Sequence, residues 1–309
     1  MAIVKALCLP VWNRPHNLAE TLASLARVRK LYQWQLFIQL DPSSEQGEVL
    51  EVIRQAKLSC GVSLCCNPIR LGVRANPMAC LERAAQSGAQ WFFYLEDDLR
   101  FSADALEFVE NVINYSGFSE EFMVGNLHFS GCSNNAHLAI PDAINSNWPG
   151  LAIRSKFLSS LGLFFNRAQF EKFVKPNWWR HPLNVRDLHG NRGAGWDYAL
   201  SEALLESRNF SLQSLLPRVR HHGIRGVHFT PEAHSKGWCG AGLWPGEDLL
   251  LEITVLDCNS EQLGPFRAFT TMAQQCWSLQ QVWLMRDKRL AQVARSLKPL
   301  LRLEPVSSP

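Results

Sequence analysis

Three acidic residues in a row, Glu96-Asp97-Asp98, directly follow Trp91-Phe92-Phe93-Tyr94-Leu95, a run in which nearly every residue is apolar. Adjacent carboxylates at the end of a buried strand repel one another, so something must offset them. A hard divalent cation does this: Mg²⁺ or Mn²⁺ takes one or two carboxylates together with substrate phosphate oxygens. The plainer alternative is a solvated turn, with Asp98 near Ser102 favouring the dipole of the next helix. Placement after an apolar strand in an alternating strand–helix context favours the metal.

Other residues invite the same weighing. Asp41 ends an apolar run and opens Asp41-Pro42-Ser43-Ser44, which is turn-like by itself. Asp197 begins the apolar-periodic stretch Trp196-Asp197-Tyr198-Ala199-Leu200, where it is either a helix cap or a general base exposed to a cleft. His221, His222, His228 and His234 crowd one Gly-rich segment. Imidazole is a versatile ligand, but His221 and His234 read as polar-loop residues, and His228 is the candidate to touch a diphosphate or metal.

The elements that must position these groups show in the periodicity. Residues 2–9, 35–40, 62–66 and 91–95 are strand-like. Between them, residues 16–31, 45–58 and 76–86 are helical, with Asn17 and Glu20 spaced as a capping box. Ser102 caps a further helix to about Tyr115. Uninterrupted apolar strands alternating with helices imply right-handed βαβ units in a parallel, Rossmann-like sheet. Ligands then sit beyond the carboxyl ends of the strands. Those ends carry Asn13, Arg14, Asp41, Arg70, Arg74 and Glu96-Asp97-Asp98.

The second half is mixed. Residues 122–129 and 162–165 read as strands, 167–174 and 197–206 as helices, and 176–195 as an irregular, Trp-rich stretch. Residues 218–246 form a long Gly- and His-rich loop of the kind that is functional or mobile. The resulting division is a domain over 1–240, with a nucleotide-binding half at 1–115 and a mixed half that ends in this loop at 116–240. A helical, increasingly basic extension follows at 241–309. That extension is either a packed helix with a solvated face or a peripheral contact with an anionic membrane.

Composition narrows the class. With 309 residues and 47% hydrophobic content the chain has ample material for a core. A formal charge of +3 without a dense Lys/Arg stripe speaks against nucleic acid. Nine cysteines with no C-x-x-C favour a reducing, cytoplasmic setting over a disulfide framework. No signal peptide is visible, and no apolar stretch approaches the roughly 18 residues of a membrane span.

Taken in order, the motifs resemble the GT-A glycosyltransferases. The likeness is closest to the type I N-acetylglucosaminyltransferase family and weaker to the broad bacterial inverting enzymes. Leu9-Pro10-Val11-Trp12-Asn13-Arg14-Pro15 looks like their nucleotide-binding start, and Leu71-Gly72-Val73-Arg74-Ala75-Asn76-Pro77 like their approach to the acidic strand. Glu96-Asp97-Asp98-Leu99 looks like their metal site, and Gly195-Trp196-Asp197 like the segment with the catalytic base. His222-Gly223-Ile224-Arg225-Gly226-Val227-His228 is similar to their closing loop.

The resemblance implies that Asp98 binds Mn²⁺ or Mg²⁺ and that Glu96 and Asp97 hold ribose and donor-sugar hydroxyls. It implies that Asp41 contacts the nucleoside, with Arg14 paired to it or to phosphate. Pro10, Asn13, Arg74 and His228 complete the donor site, and Asp197 is the base. The implied reaction is inverting transfer of a sugar from a UDP-sugar to a hydroxyl of a glycan, lipid-linked or protein acceptor. The rivals are a retaining glycosyltransferase, a sugar nucleotidyltransferase, and a nucleotide-sugar-binding module with a lapsed site.

Overall fold

The structure is a computed structural model and describes residues 4–128, 148–155, 158–182, 195–224, 243–244, 246 and 252–257. Its first half runs β1 (Lys5–Val11), α1 (Pro15–Leu25), β2 (Gln35–Leu40), α2 (Gln46–Gln55), β3 (Gly61–Cys66), α3 (Gly72–Gln86) and β4 (Trp91–Tyr94). Then come β5 (Leu99–Phe101), α4 (Ala105–Ile113), α5 (Phe118–Glu121), β6 (Phe122–Asn126), β7 (Leu151–Ser155) and β8 (Leu163–Asn166). One continuous helical passage follows, α6 (Arg167–Gln169), a π-helical turn at Phe170–Val174 and α7 (Lys175–Trp178). Last are α8 (Trp196–Glu206), β9 (Phe210–Ser214), β10 (Val219–His221) and β11 (Thr254–Asp257).

Among the described residues, one nine-stranded sheet has the order β11-β7-β9-β6-β8-β4-β1-β2-β3, and β5 and β10 form a separate ribbon. Strands β4, β1, β2 and β3 are parallel, as the alternation predicts. The other half is mixed, because β8 runs antiparallel to both β4 and β6, and β7 antiparallel to β9. Each face of the sheet carries its own core. Leu7, Leu9 and Val11 join Leu36, Ile38 and Leu40 under α1 and α4, whereas Ala6, Cys8 and Phe37 face α3, α8 and the Phe165–Phe170 stack. Two buried faces explain the uninterrupted apolar runs of β1 and β4, since neither side of either strand meets water. Burying a Leu or Phe fully contributes about 1.5–3 kcal/mol relative to exposure, which makes this double core the main source of stability.

Several boundaries differ from expectation, each for a local reason. Helix α1 begins at Pro15 with Arg14 in the cap position and no side-chain cap, so Asn17 and Glu20 form no capping box. Proline's fixed φ suits the first helical position, and its missing N–H costs nothing there. A capping box does form at Asn166 and Gln169. Helix α1 stops at Leu25, six residues early, before Lys30 adopts a left-handed φ of 63°. Ser102 does not cap α4, whose cap position is Asp104; its hydroxyl donates to that carboxylate at 2.5 Å. Helix α3 starts at Gly72, four residues earlier than Asn76, because Asp41 accepts from the backbone N–H groups of Leu71 and Gly72. Thr254–Asp257, assigned to a helical extension, is an edge strand parallel to β7. Of the rest of that extension, the described residues are 243–244, 246 and 252–253.

A buried ion pair ties the second half to α4. Arg218 and Asp104 are both fully buried and meet at 2.8 Å. Arg218 also donates to Ser214 Oγ at 2.5 Å and to the Pro149 carbonyl at 2.6 Å. This guanidinium holds the turn that leads into β10, and β10 carries His221. Removing one partner of such a pair strands the other charge in the core. Asp104→Ala should therefore lower the unfolding free energy by about 3–5 kcal/mol in urea denaturation.

Candidate active site

The chain builds β1, β2 and β3 outward in one direction, then returns to place β4 on the other side of β1. The crevice beyond the carboxyl ends of β1 and β4 is therefore the switch point of the sheet, where ligands bind in open α/β folds. Leu95 N–H still bonds to Cys8 O at 2.9 Å, so the two strands stay paired to the brink of the acidic turn. Beyond it, Arg14 from β1 and Glu96-Asp97-Asp98 from β4 face each other. Arg14 Nη1 donates to Asp98 Oδ2 at 2.6 Å, Nη2 donates to Asp97 Oδ1, and Nε lies 3.4 Å from Asp97 Oδ2. Arg14 thus pairs with the acidic turn and not with Asp41.

A second cation arrives from far along the chain. Strand β10 pairs antiparallel with β5, opposing His221 to Leu99. This brings His221 Nε2 within 3.0 Å of Asp98 Oδ2, and His222 N–H donates to Asp98 O at 2.9 Å. The bland loop reading of His221 is corrected: it is a partner of the acidic turn. Periodicity could not show this, because β5 and β10 are three residues each and lie far apart in sequence. Gly223 closes over the pair so tightly that a Cβ there would sit 2.5 Å from Asp98 Oδ2 and 3.0 Å from His221 Cε1. His228 and His234 lie outside the described residues.

Environment separates the three acids. Burial, reinforced by the Asp98 charge and opposed by His221 and Ser160, pushes the Glu96 carboxyl up to about 7. Burial also raises Asp97, to about 6, against the pull of Arg14. Asp98 is buried as well, yet its bonds and charge contacts with His221 and Arg14 outweigh burial and hold it below its ordinary value. In return, Asp98 lifts His221 against the effect of burial. Asp98 is therefore the firmly ionised member of the turn.

Asp197 belongs to the same neighbourhood. Its charge raises both Glu96 and the buried phenol of Tyr94, after burial itself. Helix α8 starts at Trp196 behind Gly195, which is its cap residue, so Asp197 sits second in the helix and does not cap it. The carboxylate folds back over Gly195, leaving no room for a side chain at that position. Trp196 is stacked on Trp178 at 4.2 Å and meets Tyr94 edge-on at 5.0 Å, fixing the start of the helix beside the acidic turn.

Two expected donor contacts are committed elsewhere. Asp41 is 1% exposed, and its oxygens accept from Asn67 Nδ2 at 2.7 Å, Leu71 N at 3.0 Å and Gly72 N at 2.7 Å. It anchors the turn into α3, with Gln39, Asn67 and Asn76 completing a buried polar network. Arg74 donates to the carbonyls of Trp178, at 2.7 and 3.0 Å, and of Arg180, at 2.5 Å, so it ties α3 to α7. Pro10 sits in β1 opposite Gln39, and Asn13 lies half-buried in the turn before Arg14. Sequence reasoning did not single out the pairing of Trp12 with Arg70, whose guanidinium lies 3.5 Å over the indole. The available signal was an aromatic and a basic residue beyond the carboxyl ends of two strands of one sheet, β1 and β3.

No three His, Cys, Asp or Glu side chains among the described residues converge as a ready metal cage. A divalent ion completed by substrate phosphate needs only one or two carboxylates, and one suitable oxygen is present. Asp98 Oδ1 is buried and has no hydrogen-bond partner among the described residues. Buried acceptors are almost always satisfied, so an orphan on an ionised carboxylate fits a cation ligand.

No family model matches the sequence, and no curated protein matches it either. Among solved structures, the chain is similar to S. aureus TarS 1–349 in complex with UDP-GlcNAc, with a TM-score of 0.50 and 12% identity. The match covers 73% of this chain and 60% of that one, so the chain spans less than two thirds of TarS 1–349. The mannosyltransferase PcManGT from Pyrobaculum calidifontis, in complex with GDP-Man and Mn²⁺, matches at a TM-score of 0.44 and 9% identity, over 97% of this chain and 81% of that one. Mouse xyloside xylosyltransferase 1 in its apo form matches at 0.41 and 12%, over 67% and 83%. The α/β fold is a glycosyltransferase fold, as the motif order implied.

The contact at Gly223 can be tested without any ligand. Gly223→Ala inserts a methyl between the backbone and Asp98, forcing Asp98 and His221 apart. With its partner displaced, His221 keeps burial and the Arg14 charge, which lower it, against the smaller upward pull of Glu96, so its pKa should drop below that of the wild type in an NMR titration of the imidazole protons. Overpacking should cost about 1–3 kcal/mol of stability.

Proposed function

We propose that this chain is a metal-dependent glycosyltransferase that moves a sugar from a UDP-sugar to an acceptor hydroxyl with inversion. The observation that carries the reading is the acidic turn at the β1/β4 switch point, with one orphaned oxygen on its ionised member. The TarS likeness, to a chain in complex with UDP-GlcNAc, supports the choice of donor class.

In this reading Asp98 Oδ1 holds Mn²⁺ or Mg²⁺, which when bound would neutralise charge on the diphosphate. Glu96 and Asp97 face the donor's ribose and sugar hydroxyls, and the elevated Glu96 suits it to donate as well as accept hydrogen bonds. The Trp12–Arg70 stack flanks the base, taking the role assigned to Asp41. Asp197, beside Glu96, removes the acceptor proton as the hydroxyl attacks the anomeric carbon in line with the leaving diphosphate. The stacked Trp178 and Trp196 hold that carboxylate in place. No helix among the described residues is long and apolar enough to cross a membrane. A cytoplasmic location and a peripheral lipid contact through the C-terminal segment remain parts of the proposal.

Two experiments address the metal and the base separately. UDP should bind far more tightly in Mn²⁺ than in EDTA, and Asp98→Asn should erase most of that difference in calorimetry. Equal UDP affinity in the two buffers for the unaltered protein would sink the metal reading. Asp197→Asn should leave UDP binding intact and change stability by no more than the roughly 0.3–1 kcal/mol of a first-turn charge. Turnover of the donor should meanwhile fall about 10²- to 10⁴-fold. A folded, UDP-competent variant that keeps more than about a tenth of wild-type turnover would remove Asp197 from the base role.

A further inference from the structure

Arg14 is bound as a ligand to the acidic turn would be. Its guanidinium spans both carboxylates, reaching Asp98 Oδ2 at 2.6 Å through one nitrogen and Asp97 Oδ1 through another. Its side chain keeps 30% of its exposure, against 7% and 2% for Asp97 and Asp98, so it lies over the acids on the solvent side. Asp98 Oδ2 is further occupied by His221 at 3.0 Å, and only Oδ1 is left without a partner among the described residues. A divalent ion approaching that oxygen meets a fixed positive charge on the same carboxylate. The fork of an arginine, however, matches phosphate as well as it matches carboxylate. A diphosphate arriving at the crevice offers Arg14 oxygens of equal geometry and greater charge.

We propose that Arg14 is the resident counter-ion of this site, holding Asp97 and Asp98 and excluding a divalent cation until a nucleoside diphosphate draws the guanidinium onto its own oxygens. The inference deepens the glycosyltransferase reading and rests on it. It makes cation and nucleotide binding reciprocal: each raises the affinity for the other, because both require the same movement of one side chain. It also gives Arg14 a role that neither a structural ion pair nor a simple phosphate contact would have. The acidic site would be blocked in the free protein and open only when the donor is present.

The test is Mn²⁺ binding, read from the free-ion EPR signal, for the full chain and for Arg14→Gln, each with and without saturating UDP. Mn²⁺ held by unbound UDP is subtracted. Without UDP, Arg14→Gln should bind Mn²⁺ at least tenfold more tightly than wild type. UDP should raise the affinity of both proteins, since a bound ion also meets the diphosphate, but should raise that of wild type at least tenfold more than that of Arg14→Gln. The wild type alone overturns the proposal if it binds Mn²⁺ equally with and without UDP, whatever becomes of the variant's folding. Should the wild type show the coupling while Arg14→Gln, with a wild-type melting temperature, binds Mn²⁺ no more tightly, the proposal fails and the glycosyltransferase reading stands. Should the wild type bind UDP but no Mn²⁺ in its presence, the metal reading fails and this proposal with it.

Discussion

Three carboxylates held together at the edge of an apolar sheet are a Coulombic problem before they are a site. At 4 Å, two like charges repel by about 4 kcal/mol at an effective dielectric of 20. Glu96, Asp97 and Asp98 are further denied much of their hydration by the strands and helices around them. The fold answers with cations drawn from distant segments: Arg14 from the turn after β1 and His221 from the ribbon β5–β10. Much of the remaining architecture serves to deliver them. Pairing of β1 with β4 puts Arg14 across the crevice, and the Asp104–Arg218 pair holds the chain on its way into β10.

The outcome is a graded set of acids instead of three equivalent ones. Asp98, with two cationic neighbours, stays ionised, while Asp97 and Glu96 are pushed upward by burial. Groups whose environments drive their affinities for protons apart are suited to different tasks. The same logic extends to Asp197, whose charge is felt at Glu96 and Tyr94, and whose neighbour Trp196 packs against Trp178 and Tyr94. Trp178, stacked on Trp196 and bonded to the Arg74 carbonyl at 2.8 Å, links α3, α7 and α8 into one support. Arg74 and Asp41 contribute by holding backbone, so they act on the site through its framework.

Asp41 illustrates how one residue type can answer two demands. A carboxylate at a strand's carboxyl end is close to where a nucleoside would lie. It is also ideally placed to satisfy the unpaired N–H groups that begin the next helix. The structure takes the second course, and with it gains a fixed entry into α3 at Gly72, whose φ of 80° few other residues would adopt.

The alternating half of the fold was legible in the order of residues alone. Strands β1, β2 and β4 and their helices read directly from uninterrupted apolar runs and amphipathic spacing, since both faces of those strands are buried, whereas β3 is a largely exposed edge strand. That order also marked the acidic turn as a place that needs an offsetting charge, because adjacent carboxylates at the end of such a strand repel one another. What neutralises them follows from long-range packing, which brings Arg14 and His221 to the turn. Strands β5 and β10 are too short to carry a period, and β7, β9 and β11 take their places by pairing across long separations. Likewise, Asp197 falls second in α8 behind Gly195, a placement one residue from the cap that goes with Trp196 packing against Trp178 and Tyr94. Local periodicity reports which side of an element meets the core; it holds no information on which distant charge arrives beside it.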